Sequence, residues 1–300
     1  MSMRPVKRII ESQPTMEGAG VKLRRAFGFG DTGEFDPFLL LDDFRNDRPK
    51  DYLAGFPWHP HRGIETITYV LAGTVDHGDS LGNRGTLGAG DVQWMTAGSG
   101  ILHQEMPHGD PKGRMHGFQL WANLPSSLKM TAPRYQDVKA AEIPEVIDDD
   151  GTRVRVVCGD FWGKRGPVEG VAADPRYLDV FVPALGRKTL PVETERHAFA
   201  YVFEGSGSFR SASQPFGVLT EKESSETPVR EQTGNRSLVV FDRGDEVTVE
   251  AGEDGIRFLL VSGKPLREPV AWYGPIVMNT QAELQQAVTE LRNGTFIKQR

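Results

Sequence analysis

Two fragments of this sequence occur twice, in the same order and with the same internal spacing. Residues 69–73 (YVLAG) return as residues 201–205 (YVFEG), 132 positions later. A Gly-Asp pair followed by Ala-Gly begins at Gly90 and again at Gly244, 154 positions later. Self-similarity of this kind indicates one structural unit that is present twice. We therefore predict two halves that share one fold, with an additional polar stretch between residues 206 and 243 of the second half.

Each half has the pattern of β-structure rather than of alternating strands and helices. The 34 glycines and 20 prolines separate short runs in which apolar and polar side chains alternate. This pattern favours sandwiches or barrels over βαβ units. We predict an all-β fold. The clearest strand candidates are residues 66–71, 91–95, 118–121, 153–157, 177–182, 199–203 and 257–261.

One helix is predicted near the C-terminus. Thr280 and Glu283 have the spacing of a capping box, and Gly294 supplies a stop signal. The apolar residues that share one face are Leu284, Ala287, Val288 and Leu291. A single apolar stripe is typical of a helix that packs on a core along one side. We expect a helix over 281–292 that docks on the outside of a barrel.

The bulk properties fit a two-domain cytoplasmic protein. Three hundred residues can form two cores, and we expect domains at 1–135 and 136–300, with the helix in the second. A net charge of −6 disfavours direct binding to nucleic acid. No apolar run approaches the roughly 20 residues of a membrane span, and the N-terminal segment lacks the apolar centre of a signal peptide. The single cysteine, Cys158, fits a reducing compartment, and we expect it to be a small buried hydrophobe.

Two short sets of metal-binding side chains point to one site. One residue separates His59 from His61, and one residue separates His103 from Glu105. Residues at positions i and i+2 of a β-strand point to the same face. If the two strands lie side by side, three imidazoles and one carboxylate converge, which predicts a transition-metal site. On an octahedral ion, these ligands would leave two positions for water, dioxygen or substrate.

Glu65 is the alternative to Glu105 as the fourth ligand. It shares strand parity with His59 and His61, but an ideal strand would place it about 13 Å from His61. It could reach the ion only if the chain bulged at Gly63. We therefore favour Glu105 and expect Glu65 to have a structural role.

The other histidines are not expected to bind the metal. His108 and His116 flank a polar turn, which predicts a loop position and a strand edge, and the turn-rich stretch at His77 predicts an exposed side chain. The offsets of the repeat place Pro191, Glu193, Arg257 and Leu259 at the positions of His59, His61, His103 and Glu105. The second half therefore keeps the scaffold and loses the metal site. His197, at the position of Glu65, is expected to be structural.

The segments around the ligands resemble known motifs. Residues 55–66 (GFPWHPHRGIET) resemble the first cupin motif in the form that pirins carry, and residues 90–107 (GDVQWMTAGSGILHQEMP) resemble the pirin version of the second motif. Residues 267–280 (REPVAWYGPIVMNT) resemble the C-terminal signature of pirins. The resemblance spans nearly the whole chain. The departure from the family is the polar stretch at 211–236, which is longer than expected.

The resemblance to pirins has consequences for fold and cofactor. It implies a bicupin, in which two β-barrels (jelly rolls) face each other and only the N-terminal one holds a metal. It also implies one Fe(II) per chain at the residues matching His59, His61, His103 and Glu105. Ni, Cu, Mn, Co and Zn also suit these donors. We expect a monomer.

The same resemblance leads to the functional hypotheses. Pirin-like proteins are associated with quercetin 2,3-dioxygenase activity, so we expect a metal-dependent oxidoreductase that cleaves a flavonol with O2. Glu105 would be catalytic, because its carboxylate can accept the proton of the flavonol 3-hydroxyl. The alternative is a non-enzymatic module that binds protein partners according to the redox state of the iron and regulates transcription or metabolic enzymes. A third hypothesis, a non-redox cupin such as a sugar-phosphate isomerase, needs a basic phosphate site, and only Arg62 lies close to the ligands in sequence.

Overall fold

The computed structural model describes residues 2–210 and 232–298. The strands of its first half are β1 (Val6–Glu11), β2 (Gln13–Glu17), β3 (Val21–Phe27), β4 (Phe38–Asp43), β5 (Phe56–His61), β6 (Ile64–Ala72), β7 (Thr74–Asp79), β8 (Arg84–Leu87), β9 (Val92–Thr96), β10 (Ile101–His108), β11 (His116–Asn123) and β12 (Arg134–Val138). The strands that follow are β13 (Glu145–Ile147), β14 (Arg153–Cys158), β15 (Asp160–Phe161), β16 (Lys164–Arg165), β17 (Arg176–Val182), β18 (Arg187–Pro191), β19 (His197–Phe209), β20 (Thr233–Gly234), β21 (Ser237–Phe241), β22 (Glu246–Gly263), β23 (Ala271–Tyr273) and β24 (Ile276–Met278). The helices are the short α1 (Thr32–Phe35) and α2 (Gln281–Arg292), with 3₁₀ turns at Pro49–Asp51, Ser126–Leu128 and Ala140–Glu142. The all-β prediction is confirmed.

The described chain divides into two compact units whose segments interleave along the sequence. The N-terminal unit consists of Ser12–Ile143, Gly166–Asp174 and the described residues from Pro265 onward. The C-terminal unit consists of the described residues up to Glu11, Pro144–Arg165 and the described part of Pro175–Lys264. This division differs from the boundary expected at 135/136. Because β1 pairs with β21 and α2 packs on the β23–β24 hairpin, each terminal segment belongs to the unit built mainly from the other half.

Two antiparallel sheets form most of the N-terminal unit. The larger has the strand order β12-β9-β6-β11-β4-β3-β2, and the smaller has the order β5-β10-β7-β8. Near the centre of the larger sheet, β6 is buried over its first seven residues. Its alternation places Ile67 and Tyr69 on one face and Thr66 and Thr68 on the other. The face that carries Thr68 lines a cavity.

The C-terminal helix completes the N-terminal unit. Thr280 and Glu283 form the capping box, since the Thr280 side chain accepts a hydrogen bond from Glu283 N and the Glu283 carboxylate accepts one from Thr280 N at 2.9 Å. The helix therefore begins where the sequence predicted. Its buried side chains, Leu284 and Ala287, pack with the hairpin residues Ala271, Ile276 and Met278 and with Phe296. The other face is solvated, as expected for a helix on the outside of a barrel.

A nine-stranded antiparallel sheet forms most of the C-terminal unit. Its main strand order is β1-β21-β19-β22-β17-β14-β13, with β18 on β22 and β20 on β19. The core of this unit consists of Val, Leu, Ile, Phe and Ala side chains. Cys158 ends β14 and is 2% exposed, as predicted for a small buried hydrophobe.

The first repeated fragment marks equivalent strands. Residues 69–72 end β6 and Gly73 follows it, while residues 201–205 lie within β19. The aromatic residue that begins each fragment, Tyr69 or Tyr201, is fully buried. Gly73 and Gly205 both have left-handed φ angles, 79° and 67°. A Cβ at either glycine would collide with a backbone carbonyl. Glycine is therefore required at the same place in both units, at the bend after β6 and at an irregularity within β19.

The two Gly-Asp fragments, in contrast, are not equivalent. β21 pairs with β19 as β9 pairs with β6, and this register makes Gly90 equivalent to Arg236. β18 pairs with β22 as β5 pairs with β10, so Glu246, and not Arg257, takes the place of His103. The offset of 154 was therefore wrong, because Gly-Asp is a common turn sequence that arose at a different turn.

The polar stretch expected to form a surface loop falls mainly on residues 211–231, which lie outside the described residues. After it, β20 pairs with β19. Neither helix in the described part of the chain is long and apolar enough to cross a membrane.

Candidate metal centre

β5 and β10 are neighbours in the four-stranded sheet, as convergence of the predicted ligands requires. They pair antiparallel, with His59 opposite His103 and His61 opposite Ile101. Residues that lie opposite each other in a ladder point to the same face of the sheet. The register therefore brings both histidines of β5 next to His103.

The three imidazoles form one compact cluster. Their donor nitrogens lie within 4.8 Å of one another, and Nε2 of His59 lies 3.1 Å from Nε2 of His61. The ring centroids of His59 and His103 are 4.3 Å apart. Two nitrogens bound at right angles to one ion, each at ~2.1 Å, lie about 3 Å apart, so this spacing suits adjacent ligands of one metal.

Backbone carbonyls orient two of these rings. Nδ1 of His59 lies 2.9 Å from the oxygen of Pro57, and Nδ1 of His61 lies 3.2 Å from the oxygen of Pro275. Because a carbonyl can only accept, each Nδ1 carries the proton and donates it, which leaves a lone pair on Nε2. Such partners fix the tautomer and the ring angle of metal-binding histidines.

His103 tests whether the cluster fits a metal. This side chain is almost fully buried, and neither of its ring nitrogens has a hydrogen-bond partner among the described residues. An unsatisfied buried polar group costs about 1–3 kcal/mol, and a metal ligated by one of the nitrogens would offset part of that cost. Burial lowers the pKa of His103 and of His61 well below the ordinary value, and adjacent imidazoles lower both further. Both rings are thus neutral, as metal binding requires, and the cluster fits a divalent transition metal.

Glu105 follows His103 on the same face of β10 and is also buried. Its Oε1 lies 3.1 Å from the hydroxyl of Thr68, and that hydroxyl lies 2.6 Å from Oε1 of Gln119. Burial raises the pKa of Glu105, while nearby imidazoles and the Thr68 hydroxyl oppose this rise. The 4.8 Å cluster consists of the three imidazoles. The ligand role of Glu105 therefore stays a prediction.

The alternative ligand, Glu65, lies on a different face. A turn at Gly63 separates β5 from β6, and alternation along β6 points Glu65 away from the face that carries Thr68. Oε1 of Glu65 accepts a hydrogen bond from the hydroxyl of Thr96 at 2.7 Å. Burial raises the pKa of Glu65. These contacts agree with the structural role expected for it.

The prediction that His77 is exposed was wrong. His77 lies in β7 directly opposite Glu105, and it is 7% exposed. Its Nε2 lies 3.0 Å from Nε2 of Gln93. The Gly-Asp-Ser sequence that follows His77 resembles a turn, whereas β7 extends as far as Asp79 because it pairs with β10.

The remaining histidines lie outside the cluster. His108 was expected in a loop, but it is the last residue of β10, where its exposed side chain pairs with Asp76 at 3.1 Å. His116 begins β11, and His197 begins β19 in the C-terminal unit.

A cavity of about 630 Å³ opens onto the cluster, and its wall is mostly apolar. Aromatic contacts continue along this wall from the imidazole of His61. The ring of His61 contacts Trp121 at 5.1 Å between centroids, Trp121 contacts Trp272 at 6.1 Å, and Trp272 contacts Phe29 at 5.3 Å. Phe29 is 74% exposed, so the aromatic wall connects the imidazoles with the solvent.

The sequence analysis missed the polar residues of the cavity wall. Arg25, Asp42, Gln119 and Thr68 lie on neighbouring strands and line the cavity. Arg25 donates two hydrogen bonds to Asp42, from Nε to Oδ1 at 2.8 Å and from Nη2 to Oδ2 at 2.7 Å. Burial raises the pKa of Asp42 to about 6, although Arg25 opposes the rise. These residues are far apart in sequence and only the strand register aligns them, so no local pattern identified them.

Two family models match this chain. The model described as Pirin matches residues 20–122, and the model described as Pirin C-terminal cupin domain matches residues 177–297. The chain belongs to the pirin family. The first match includes all the proposed metal ligands, and the second includes α2. The pirin resemblance is thus confirmed, and with it the presence of two cupin domains.

This pirin also resembles relatives along their full length. A pirin-like protein of Caulobacter vibrioides is 46% identical over 297 residues, which cover 99% of this chain and 100% of that protein. A pirin-like protein of Solanum lycopersicum is 39% identical, with coverage of 96% of this chain and 91% of that protein. The crystal structure of a quercetin 2,3-dioxygenase from Acinetobacter baumannii aligns with a TM-score of 0.84 at 31% identity, covering 98% of this chain and 99% of that one.

Proposed function

We propose that this pirin is an Fe(II)-dependent dioxygenase that cleaves quercetin-like flavonols with O2. The observation that carries the proposal is the position of the three-imidazole cluster at a cavity with a mostly apolar, partly aromatic wall. The likeness to a quercetin 2,3-dioxygenase of Acinetobacter baumannii supports the choice of substrate class.

The metal would be held by His59, His61 and His103, with Glu105 as the fourth ligand. When bound, iron supplies the Lewis acidity and the redox chemistry for the reaction of a flavonol with dioxygen. Three neutral imidazoles and one carboxylate leave a net charge of about +1 on a divalent centre. This partial neutralisation suits a site buried in an apolar environment.

Glu105 is also the proposed acceptor of the flavonol 3-hydroxyl proton. Burial raises the pKa of Glu105 in the metal-free protein and so strengthens it as a base, whereas a bound cation would oppose this rise. The Thr68 hydroxyl lies at Oε1, so Oε2 would be both the ligand atom and the proton acceptor, and taking up the proton would weaken the bond between Glu105 and the metal. The hydroxyl of Thr68 has a single proton and two acceptors within reach, Glu105 and Gln119. It can donate to Glu105 while that residue is ionised and to Gln119 once Glu105 is protonated, so both protonation states are accommodated.

The cavity wall would position the flat substrate. Trp121, Trp272 and Phe29 offer aromatic surfaces, and contacts between aromatic rings contribute about 0.5–1.5 kcal/mol each beyond the burial of area. The apolar wall also excludes water around the substrate, which strengthens the electrostatic interactions of Glu105 within the site.

The test is oxygen uptake with quercetin by protein that has been reconstituted anaerobically with Fe(II). We expect uptake by the wild type and a loss of at least 100-fold in His61→Ala, which removes a proposed ligand. His108→Ala is the matched control, because His108 is an exposed histidine on the strand of His103. In Glu105→Gln, which preserves the shape and removes the base, we expect kcat to fall by at least 100-fold.

Absence of oxygen uptake would favour the non-enzymatic hypothesis. If protein shown to hold one iron per chain consumed no oxygen with flavonols, the dioxygenase proposal would be wrong. The function to examine would then be that of a redox-responsive protein-binding module, whose affinity for a partner differs among its ferrous, ferric and metal-free forms.

A further inference from the structure

A row of polar side chains crosses the cavity wall, starting beside the metal cluster. Thr68 lies opposite Gln119 in the ladder, Gln119 lies opposite Asp42, and Asp42 lies opposite Arg25. All four line the cavity, and Thr68 contacts Glu105. Neighbouring strands are spaced by about 4.8 Å, so Asp42 lies roughly 10 Å across the sheet from Thr68.

The far end of this row is a charged group, which we call the distal cluster and define as Glu17, Arg25 and Asp42. Nη2 of Arg25 lies 2.7 Å from Oδ2 of Asp42 and 2.9 Å from Oε1 of Glu17. One guanidinium therefore serves two carboxylates, and the net charge of the cluster is −1. The side chain of Asp42 is 7% exposed and that of Glu17 is 42% exposed, so Glu17 is the more accessible acceptor.

We propose that the distal cluster binds hydroxyl groups at the end of the substrate remote from the metal. The inference deepens the proposed function and rests on it, because it assumes that another hydroxyl of the substrate lies at the metal. The distance of roughly 10 Å along the row matches an aromatic molecule with hydroxyls on separate rings. The cavity therefore selects polyhydroxylated aromatic substrates.

Charge decides which groups the distal cluster accepts. A hydroxyl donates a hydrogen bond, and carboxylate oxygens accept such bonds strongly. A carboxylate on the substrate would instead meet a net negative charge, and Nε and Nη2 of Arg25 are already engaged with protein carboxylates. Hydrogen bonds to a charged group distinguish a partner that has the hydroxyl from one that lacks it by about tenfold or more.

The test measures binding by the full chain loaded anaerobically with Fe(II), using quenching of tryptophan fluorescence. Quercetin carries hydroxyls on both outer rings, and 3-hydroxyflavone keeps only the hydroxyl proposed to lie at the metal. We expect the wild type to bind quercetin at least tenfold more tightly than 3-hydroxyflavone. In Glu17→Ala this ratio should fall about tenfold, and it should also fall in Asp42→Asn, which keeps the size of the side chain.

The matched control is Glu34→Ala, because Glu34 lies on α1 and is not among the residues that line the cavity. The ratio should not change in this control. A third probe, 3-hydroxyflavone with a carboxylate on its outer ring, should bind more weakly than 3-hydroxyflavone and should gain affinity in Glu17→Ala.

Three results would overturn the inference: equal affinity of the wild type for quercetin and 3-hydroxyflavone, a ratio that survives both substitutions, or no binding of either flavonol. Oxygen uptake, measured separately, decides the proposed function. Uptake with quercetin but without a hydroxyl preference would refute the role of the distal cluster alone. A preference that depends on Glu17, in protein that consumes no oxygen, would refute dioxygenase activity alone.

Discussion

At the level of single residues, His103 is a buried side chain whose polar atoms are not satisfied by the described residues. Its ring is buried beside two other imidazoles, and both of its nitrogens lack partners among the described residues. In the metal-free protein this arrangement destabilises the native state, because the unfolded chain would give both nitrogens water. A metal ligated by His103 would therefore stabilise the folded protein at the residue where the metal-free protein is least satisfied.

The variant His103→Leu tests whether the unsatisfied nitrogens of His103 destabilise the metal-free protein and whether a metal binds there. An apolar side chain of similar size removes the unsatisfied nitrogens, so we expect the metal-free variant to be as stable as the wild type or up to about 2 kcal/mol more stable. Metal at 100 times its dissociation constant should raise the unfolding free energy of the wild type by about 2.7 kcal/mol and leave the variant unchanged. Chemical denaturation with and without Ni(II) measures both effects. His108→Leu is the control, and equal metal stabilisation in His103→Leu would contradict the assignment of this ligand.

Asp42 gives a pH dependence of stability with a defined sign. Its pKa is 3.8 as a free side chain and about 6 in the folded protein, so the native state binds more protons between these values. The free energy of unfolding contributed by Asp42 is therefore greatest below pH 4 and falls as pH rises to 6, by about 3 kcal/mol. Subtracting the curve of metal-free Asp42→Asn from that of the metal-free wild type isolates this change. If the unfolding free energies of the two proteins ran parallel between pH 4 and 7, the burial of Asp42 would not be a source of the pH dependence.

At the level of secondary-structure elements, the turn between β5 and β6 connects the strand of His59 and His61 to the seven-stranded sheet. Gly63 lies in this turn with φ at 77°, its N–H donates to Gly98 O at 2.8 Å, and its carbonyl accepts from Lys129 Nζ at 2.8 Å. A Cβ at Gly63 would collide with the carbonyl of Val277 on β24. The glycine is thus needed for its backbone angle and for the close approach of β24.

Gly63→Ala separates these two requirements when it is compared with Gly82→Ala. Gly82 also has a positive φ, at 89°, but a Cβ there would meet nothing within 4 Å. We expect about 1 kcal/mol of destabilisation in Gly82→Ala from the backbone angle alone. Gly63→Ala should lose at least about 3 kcal/mol and bind metal more weakly, because β24 must move. Denaturation and a Ni(II) titration measure the two effects, and equal losses in both variants would show that the contact with Val277 is unimportant.

Some features of the fold and the candidate site follow from local sequence, and others depend on how the strands pair. The i, i+2 spacing of His59 and His61 and the capping box of α2 are local patterns, and the structure contains both. The position of His77 and the polar row at Asp42 depend on which strands pair and in which register. Register is set by contacts between distant segments, so a single sequence without an alignment does not reveal it.

At the level of the whole molecule, the chain crosses between its two units more often than a division at 135/136 allows. The last segment supplies Val277 to a core that contains Ile64 and Met95 from the N-terminal half. It also supplies Glu290, whose Oε2 lies 2.7 Å from Nη1 of Arg62. Each terminal segment thus belongs to the unit built mainly from the opposite half, which we call the exchange of terminal segments. Sequence similarity between the halves indicated two related units, but it could not show this exchange, because the terminal segments lie outside the repeat.

The exchange predicts that a fragment comprising residues 1–143 cannot form the metal site by itself. It lacks Pro275, whose carbonyl orients His61, and it leaves buried Arg62 without Glu290 and without the carbonyl of Phe296, which accepts from Nη2 at 2.7 Å. Removing one partner of a buried charge costs about 3–5 kcal/mol, a large fraction of the stability of a domain. We expect this fragment to unfold without a cooperative transition and to retain no metal after desalting. Co-expression with residues 144–300 should restore one metal per pair of fragments. If residues 1–143 alone bound one metal ion with the affinity of the full chain, the terminal segment would not be part of the structure that forms the site.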